Sequence, residues 1–132
     1  MLPAVRADLF FARDPGAQLA LGLIASPAYN IRAQLDVGAG GVARASGWAA
    51  AGRADLLLRW VSDPFRRARW ALHAGGGVGV AVESSRAPQP LAIVTLGVEG
   101  PAKGRWLPGV ELGLGGGVRL GLTMRRVRPG RR

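Results

Sequence analysis

Apolar and polar side chains alternate through most of the chain. From Trp70 to Val82 every second residue is apolar or glycine, while the alternate positions from Arg69 to Glu83 carry glycine, alanine, His73 and, at the two ends, charge. Because successive side chains of a β-strand point to opposite faces, a period of two predicts strands. Turn residues such as Asp14-Pro15-Gly16 separate the alternating segments. The pattern therefore predicts an all-β chain.

Eight segments carry this strand pattern, and the connections between them are short, which favours antiparallel neighbours. The triple glycine at 115–117 either turns the chain or lets one strand continue, which would leave seven strands. Since closed bacterial barrels have an even strand number, we predict an antiparallel up-and-down β-barrel of about eight strands. The barrel is expected to form one domain, 1–126, followed by a basic C-terminal tail, 127–132. The predicted strands are 5–11, 18–25, 29–44, 52–61, 69–83, 91–99, 105–114 and 118–126.

Each clear strand has one apolar face and one face of glycines and charges. In a soluble barrel the apolar face would form the core, whereas in a membrane barrel it would meet lipid and the polar face would fill the lumen. Alternation alone does not choose between these solvents. The composition of the charged face favours lipid, because it is rich in glycine and alanine and nearly lacks lysine.

Acids and arginines are almost balanced on the charged face. A narrow lumen requires such pairing because an unpaired buried charge is strongly destabilising, whereas a surface in water does not require it. We therefore predict a lumen plugged by Arg–carboxylate pairs. The predicted network consists of Arg32, Asp36, Arg53, Asp55, Arg59, Glu83, Glu99, Glu111 and Arg119.

Three tryptophans lie on the apolar face at strand ends. Trp60, Trp70 and Trp106 flank the turns after the fourth and sixth predicted strands, which share one rim of the barrel. This placement is typical of the aromatic girdle at a membrane interface, although ordinary core packing gives the same residues.

Length and composition limit the class of protein to which this barrel can belong. The chain has 132 residues, which suits one domain, and 48% of them are apolar. It has no apolar run long enough for a transmembrane helix. Residues 1–8 lack the long apolar core of a secretory signal, which an exported protein requires. Cysteine is absent, which excludes disulfides and cysteine-based zinc sites.

At this point the chain resembles the small eight-stranded outer-membrane β-barrels of the OmpA and OmpX type. The resemblance is architectural, covers nearly the whole chain and rests on no specific motif. It implies an outer-membrane location and a structural, adhesive or defensive role. Occasional members modify lipids, and some of those use a histidine and a serine near the outer rim.

Candidate catalytic chemistry is sparse. His73 is the only histidine, and Asp55 or Glu83 would be needed to orient it as a general base. No Gly-x-Ser-x-Gly motif supplies a nucleophile, so a structural histidine is the favoured interpretation. The glycines at 75–79 lack the Lys-Ser/Thr of a phosphate loop. We predict no enzyme activity, no metal site and no cofactor.

The net charge of +10 comes from 17 arginines and one lysine. Arginine-rich segments predict contact with anionic lipid head groups through Arg66, Arg67, Arg125, Arg126 and Arg128. Nucleic acid is not favoured, because no aromatic residues alternate with these arginines to stack bases. The alternative to the membrane barrel remains a soluble basic β-barrel that binds an anionic partner such as nucleic acid.

Overall fold

The computed structural model describes residues 1–12, 14–62 and 69–128. These residues form eight β-strands that close into an antiparallel barrel in chain order, with β8 paired to β1. The predicted fold, with eight strands rather than seven, is confirmed. Among the described residues, no helix is long and apolar enough to cross a membrane. The strands are β1 Leu2–Phe11, β2 Gly16–Ala28, β3 Ile31–Arg44, β4 Gly47–Val61, β5 Ala71–Glu83, β6 Gln89–Glu99, β7 Trp106–Leu114 and β8 Val118–Arg126.

The glycine run between β7 and β8 forms a turn. Leu114 pairs with Val118 across it, and Gly115–Gly117 form the connection. Gly116 has a φ of 71° and Gly117 a φ of 135°, which residues with a Cβ rarely adopt. Glycine is thus required where the chain reverses, and this reversal gives the barrel its even strand number.

Four of the predicted strands were too short, those for β1, β2, β4 and β6, and three began one or two residues too early, those for β3, β5 and β7. β4 begins at Gly47 rather than at residue 52, because Trp48 pairs with Ala43 and the predicted loop contracts to two residues. β2 continues to Ala28, with an irregularity after Ala25 that accommodates Pro27, a residue without a backbone N–H.

The two ends of the barrel differ in what they carry. The proximal rim holds the chain termini and the connections that follow β2, β4 and β6. The distal rim holds the connections that follow β1, β3, β5 and β7. Two of the distal connections are only two and three residues long, at 45–46 and 115–117.

Burial in this barrel is the reverse of that in a soluble domain. Arg6 and Asp8 are each 2% exposed, whereas Leu19 and Leu21 on the neighbouring strand are 68% and 70% exposed. The same division continues around the sheet: charged, polar and glycine positions face the lumen and the large apolar residues face outward. The charged face of the alternation is therefore the inner face.

Glycines inside the barrel make room for the few large apolar side chains of the lumen. Gly77 pairs with Leu57 on one side and with Ile93 on the other, and both of those side chains are buried. A Cβ on Gly77 would overlap the carbonyl oxygen of Leu56 and lie 2.9 Å from the Cα of Leu57. Because these are backbone atoms, the strands would have to separate to accept a side chain.

We expect Gly77→Ala to destabilise the barrel by about 1–3 kcal/mol, the usual cost of overpacking. Gly52→Ala is a suitable control, since the nearest atom to its added methyl group is the side-chain Cγ2 of Val82 at 3.2 Å. The free energy of unfolding, measured by urea titration in detergent, tests the difference. Equal stability of the two variants would show that the sheet tolerates a side chain at residue 77.

Candidate functional site: the charged lumen

The lumen changes in character along its axis. Ion pairs fill its middle, and a cavity opens towards the distal rim. Towards the proximal end, buried apolar side chains lie among charged ones: Ala71 is opposite Glu99, and Ala4 and Leu107 are opposite Arg125. Ile24 and Val61 are buried there as well. A cavity of about 20 Å³ lies among these groups.

Glu111 on β7 is the centre of the ion-pair layer. It is 1% exposed and meets three arginines from three other strands. Its Oε1 accepts hydrogen bonds from Arg6 Nη2 at 2.9 Å, Arg59 Nη2 at 2.9 Å and Arg119 Nη2 at 3.1 Å. One carboxylate therefore joins β1, β4 and β8 across the lumen.

Arg6 on β1 is a second centre and uses its whole guanidinium. Its Nε donates to both carboxylate oxygens of Asp8, at 3.1 and 3.2 Å. Its Nη1 donates to Asp36 at 3.0 Å, and its Nη2 reaches Asp8 and Glu111. The planar, fully charged guanidinium suits this arrangement, because it binds several carboxylates in fixed directions.

The remaining lumen acids are also shared. Asp55 accepts hydrogen bonds from Arg53 Nε at 2.8 and 2.9 Å and from Arg119 Nη1 at 3.0 Å. Glu99 lies nearer the proximal rim, where it pairs with Arg32 and accepts a hydrogen bond from Arg125 Nη2 at 2.8 Å. Each of these two acids thus bridges two arginines.

The register between β3 and β4 explains why their charged residues need partners from other strands. Asp36 lies directly opposite Asp55, and Arg32 lies directly opposite Arg59. Like charges opposite each other destabilise a sheet, so each must be neutralised from elsewhere in the lumen. Arg6 supplies the compensating charge to Asp36, and Glu111 supplies it to Arg59.

Three of the acids lie against a glycine of a neighbouring strand. In each case a Cβ on the glycine would collide with a carboxylate oxygen, so the missing side chain is what admits the acid. The pairs are Asp8 with Gly121, Asp36 with Gly22 and Asp55 with Gly79. The glycines of the inner face thus leave the space that the carboxylates of the network occupy.

Eight of the nine residues named for the network lie in it. Glu83 does not: it lies at the distal mouth, where it pairs with Arg44 at 2.8 Å and with Arg86 at 3.1 Å. The named set also lacks Arg6 and Asp8, although alternation places both on the charged face. Gln18 and Gln34 were missed as well, and they donate hydrogen bonds to Asp8 and Asp36.

His73 is enclosed in the proximal half of the lumen and is 4% exposed. Its Nδ1 lies 3.7 Å from Glu111 Oε2, which is beyond hydrogen-bond distance, so the ring lies beside Glu111 rather than against Asp55 or Glu83. Its ring lies over Gly97 of β6, where there is no side chain to displace it. Thr123 brings a hydroxyl group to the small cavity that His73 lines.

Aromatic side chains surround the outside of the barrel near both rims. Trp60, Trp70 and Trp106 lie at the proximal ends of their strands and face outward. Trp48 and Phe11 are exposed at the distal ends of β4 and β1. The predicted girdle residues thus share one rim, and the sequence interpretation missed the aromatic pair at the other.

The arginines expected to meet lipid have different positions. Arg126 and Arg128 are exposed at the proximal rim, whereas Arg125 turns into the lumen and pairs with Glu99. Arg66 and Arg67 lie outside the described residues. Three further exposed cations share the proximal rim, and no described carboxylate is exposed there. They are Arg69, Lys103 and Arg105.

No protein-family model matches the chain, and a comparison with curated proteins finds no significant similarity. The geometry of the barrel therefore carries the functional argument.

Removing the central carboxylate should have a large effect. We expect Glu111→Gln to destabilise the barrel by about 3–5 kcal/mol, because three buried guanidinium groups lose a shared counter-charge. At the partly exposed distal mouth, Glu83→Gln should cost about 1 kcal/mol or less. Urea unfolding midpoints of the two variants test this ranking, and a Glu111→Gln protein as stable as Glu83→Gln would contradict it.

Proposed function

We propose that this protein is an outer-membrane β-barrel with a structural or surface-interaction role and no enzymatic activity. The observation that carries the proposal is the inverted burial: charged side chains fill the lumen, and the large apolar side chains cover the outside. The closed barrel form supports it, because closure leaves no unpaired strand edge for lipid to meet.

The outer surface suits a hydrocarbon environment. Leu35, Leu56 and Val78 are neighbours on β3, β4 and β5, and each is about half exposed or more. Comparable residues continue around the barrel and form an apolar belt far larger than a soluble monomer usually exposes. Strands of 9 to 15 residues meet the length needed to span a bilayer when tilted.

The aromatic residues support the same setting. Aromatic rings lie at both ends of the apolar belt, where the two membrane–water interfaces would be. At one end they are those of Trp60, Trp70 and Trp106, and at the other those of Trp48 and Phe11. Tryptophan favours this region because its ring is apolar and its indole N–H remains hydrated.

The plugged lumen supports a role other than transport. Buried ion pairs and apolar side chains occupy the middle and the proximal part of the lumen, and the cavity among them measures about 20 Å³. A barrel without a channel stabilises a membrane or presents its rims to partners. In the alternative soluble barrel, six of the twelve described arginines would not be available to nucleic acid, because they are paired inside the lumen.

The proposal predicts that folding requires an apolar phase. In detergent micelles the chain should give a β-type circular dichroism spectrum and a band on SDS gels that shifts on boiling. In plain buffer it should aggregate or remain unfolded, because water would cover the apolar belt. A monodisperse, β-rich protein in buffer would overturn the membrane proposal and make nucleic-acid binding the next test.

A charge on the outer face gives a sharper test. We expect Leu56→Arg to destabilise the barrel in vesicles by about 2–4 kcal/mol, with Val118→Arg at the distal rim costing about 1 kcal/mol or less. The difference arises because an interior site of the belt meets hydrocarbon and a rim site meets head groups. Urea unfolding in phosphatidylcholine vesicles measures both. If the belt faces water, the two substitutions will be equally harmless.

The cations of the proximal rim are proposed to contact anionic lipid head groups. Attraction to an anionic surface is worth about 1 kcal/mol for each nearby basic side chain. We expect Arg126→Gln to slow folding into vesicles that contain phosphatidylglycerol and to leave folding into pure phosphatidylcholine unchanged. High salt should remove the difference, since it screens exposed charges.

Arg86→Gln is the matched control at the distal rim. Arg86 is exposed, but it already pairs with Asp14 and Glu83, so its loss should not change the lipid dependence. An equal effect of the two substitutions would contradict a specific role of the proximal rim.

A further inference from the structure

The distal end of the lumen contains a cavity that the plugged-barrel role does not use. Its volume is about 100 Å³, and it is open at the mouth of the barrel. Small and apolar side chains form much of its wall, among them Val42, Ala51, Ala81 and Leu91. The turn at 115–117 forms another side, where three glycines keep the entrance wide.

Arg53 lines this cavity with unused hydrogen-bonding groups. Its side chain is only 7% exposed, and its Nε is bound to Asp55. Its Nη1 and Nη2 make no hydrogen bond within the described residues. The guanidinium also lies over the ring of Phe10, with 5.4 Å between its Cζ and the ring centroid. Asp55 and Phe10 therefore hold the planar group in one orientation and leave its two terminal nitrogens available.

Charge in the lumen is not fully balanced. Five carboxylates, Asp8, Asp36, Asp55, Glu99 and Glu111, face six guanidinium groups, those of Arg6, Arg32, Arg53, Arg59, Arg119 and Arg125. One positive charge is thus in excess among the described lumen residues. The excess lies at the proximal end, where Glu99 is shared between Arg32 and Arg125. In the part of the network that borders the cavity, acids and guanidinium groups are equal in number, so Arg53 has its charge balanced by Asp55 while its two terminal nitrogens stay available.

We propose that this cavity, which we call the distal cup, binds a small organic monocarboxylate. The terminal nitrogens of Arg53 form a fork that matches the two oxygens of a carboxylate. The apolar wall suits a short hydrocarbon body. Arg53 is the one cation among the described residues that line the cavity, and Glu83 and Asp14 at the mouth disfavour an anion of higher charge than one.

Butyrate is a suitable probe, with butan-1-ol as its uncharged counterpart and inorganic phosphate as the competing oxyanion. The folded full chain is titrated in the medium in which it folds, and NMR follows the Arg53 side-chain resonances and the amides of residues 115–117. The test applies in detergent or in buffer, so its failure is distinguishable from failure of the membrane proposal. We expect saturable shifts with butyrate and at least tenfold weaker binding of butan-1-ol.

Two variants and a control complete the experiment. Arg53→Gln should weaken butyrate binding at least tenfold. Ala81→Leu should abolish it by filling the cup while leaving the Arg53–Asp55 pair intact, since Ala81 lies opposite Arg53 in the sheet. Ala54→Leu adds the same bulk to the outer face of β4 and should change nothing.

Several results would overturn the proposal. These are the absence of saturable shifts in the parent protein, butan-1-ol binding as tightly as butyrate, and phosphate binding more tightly than butyrate. Unchanged affinity in Ala81→Leu would place the ligand elsewhere. If Arg53→Gln does not fold, the Arg53 resonances of the parent protein and the Ala81→Leu titration still decide the matter.

Discussion

Charge pairing inside the barrel is the constraint on which the rest of the structure depends. Arg6 and Glu111 are each buried and together connect β1, β4, β7 and β8. A guanidinium or a carboxylate is tolerated in such a place only when each has partners with good geometry. Pairs of like charge opposite each other, such as Asp36 and Asp55, show that no single hairpin meets this condition. Closure of the whole barrel is needed.

Glycine is the structural counterpart of this network. Gly22, Gly79 and Gly121 leave space for the carboxylates beside them, and Gly77 leaves space for Leu57 and Ile93. A narrow lumen cannot hold a large side chain at every inward position, because interiors are close-packed. The alternation of charge with glycine on the inner face is therefore a packing requirement, and it explains a glycine content that would be unfavourable in other folds.

Because charged side chains fill the lumen, most large apolar side chains lie on the outer surface of the barrel. Few of them fit inside, and the rest form the apolar belt. The lumen also differs along its axis: ion pairs and buried apolar side chains occupy its middle and proximal part, and a cavity opens at the distal end, where Arg53 has available donors. The same barrel thus combines a charged middle, a basic proximal rim and a distal cavity.

The sequence by itself determined the strands, their approximate number and the division of each strand into two faces, because alternation is a local property with a period of two. It also indicated most members of the network, since acids and arginines occur in similar numbers on one face. The network named from the sequence omitted Arg6, although alternation places this residue on the charged face. It included Glu83, because alternation does not report how far along the barrel axis a residue lies. The composition of the charged face had predicted that this face is the inner one, and tertiary structure alone decided which pairs form and where a donor is left over. The physical reason is that these depend on contacts such as Arg6 with Glu111, which are 105 residues apart and meet only when β8 pairs with β1.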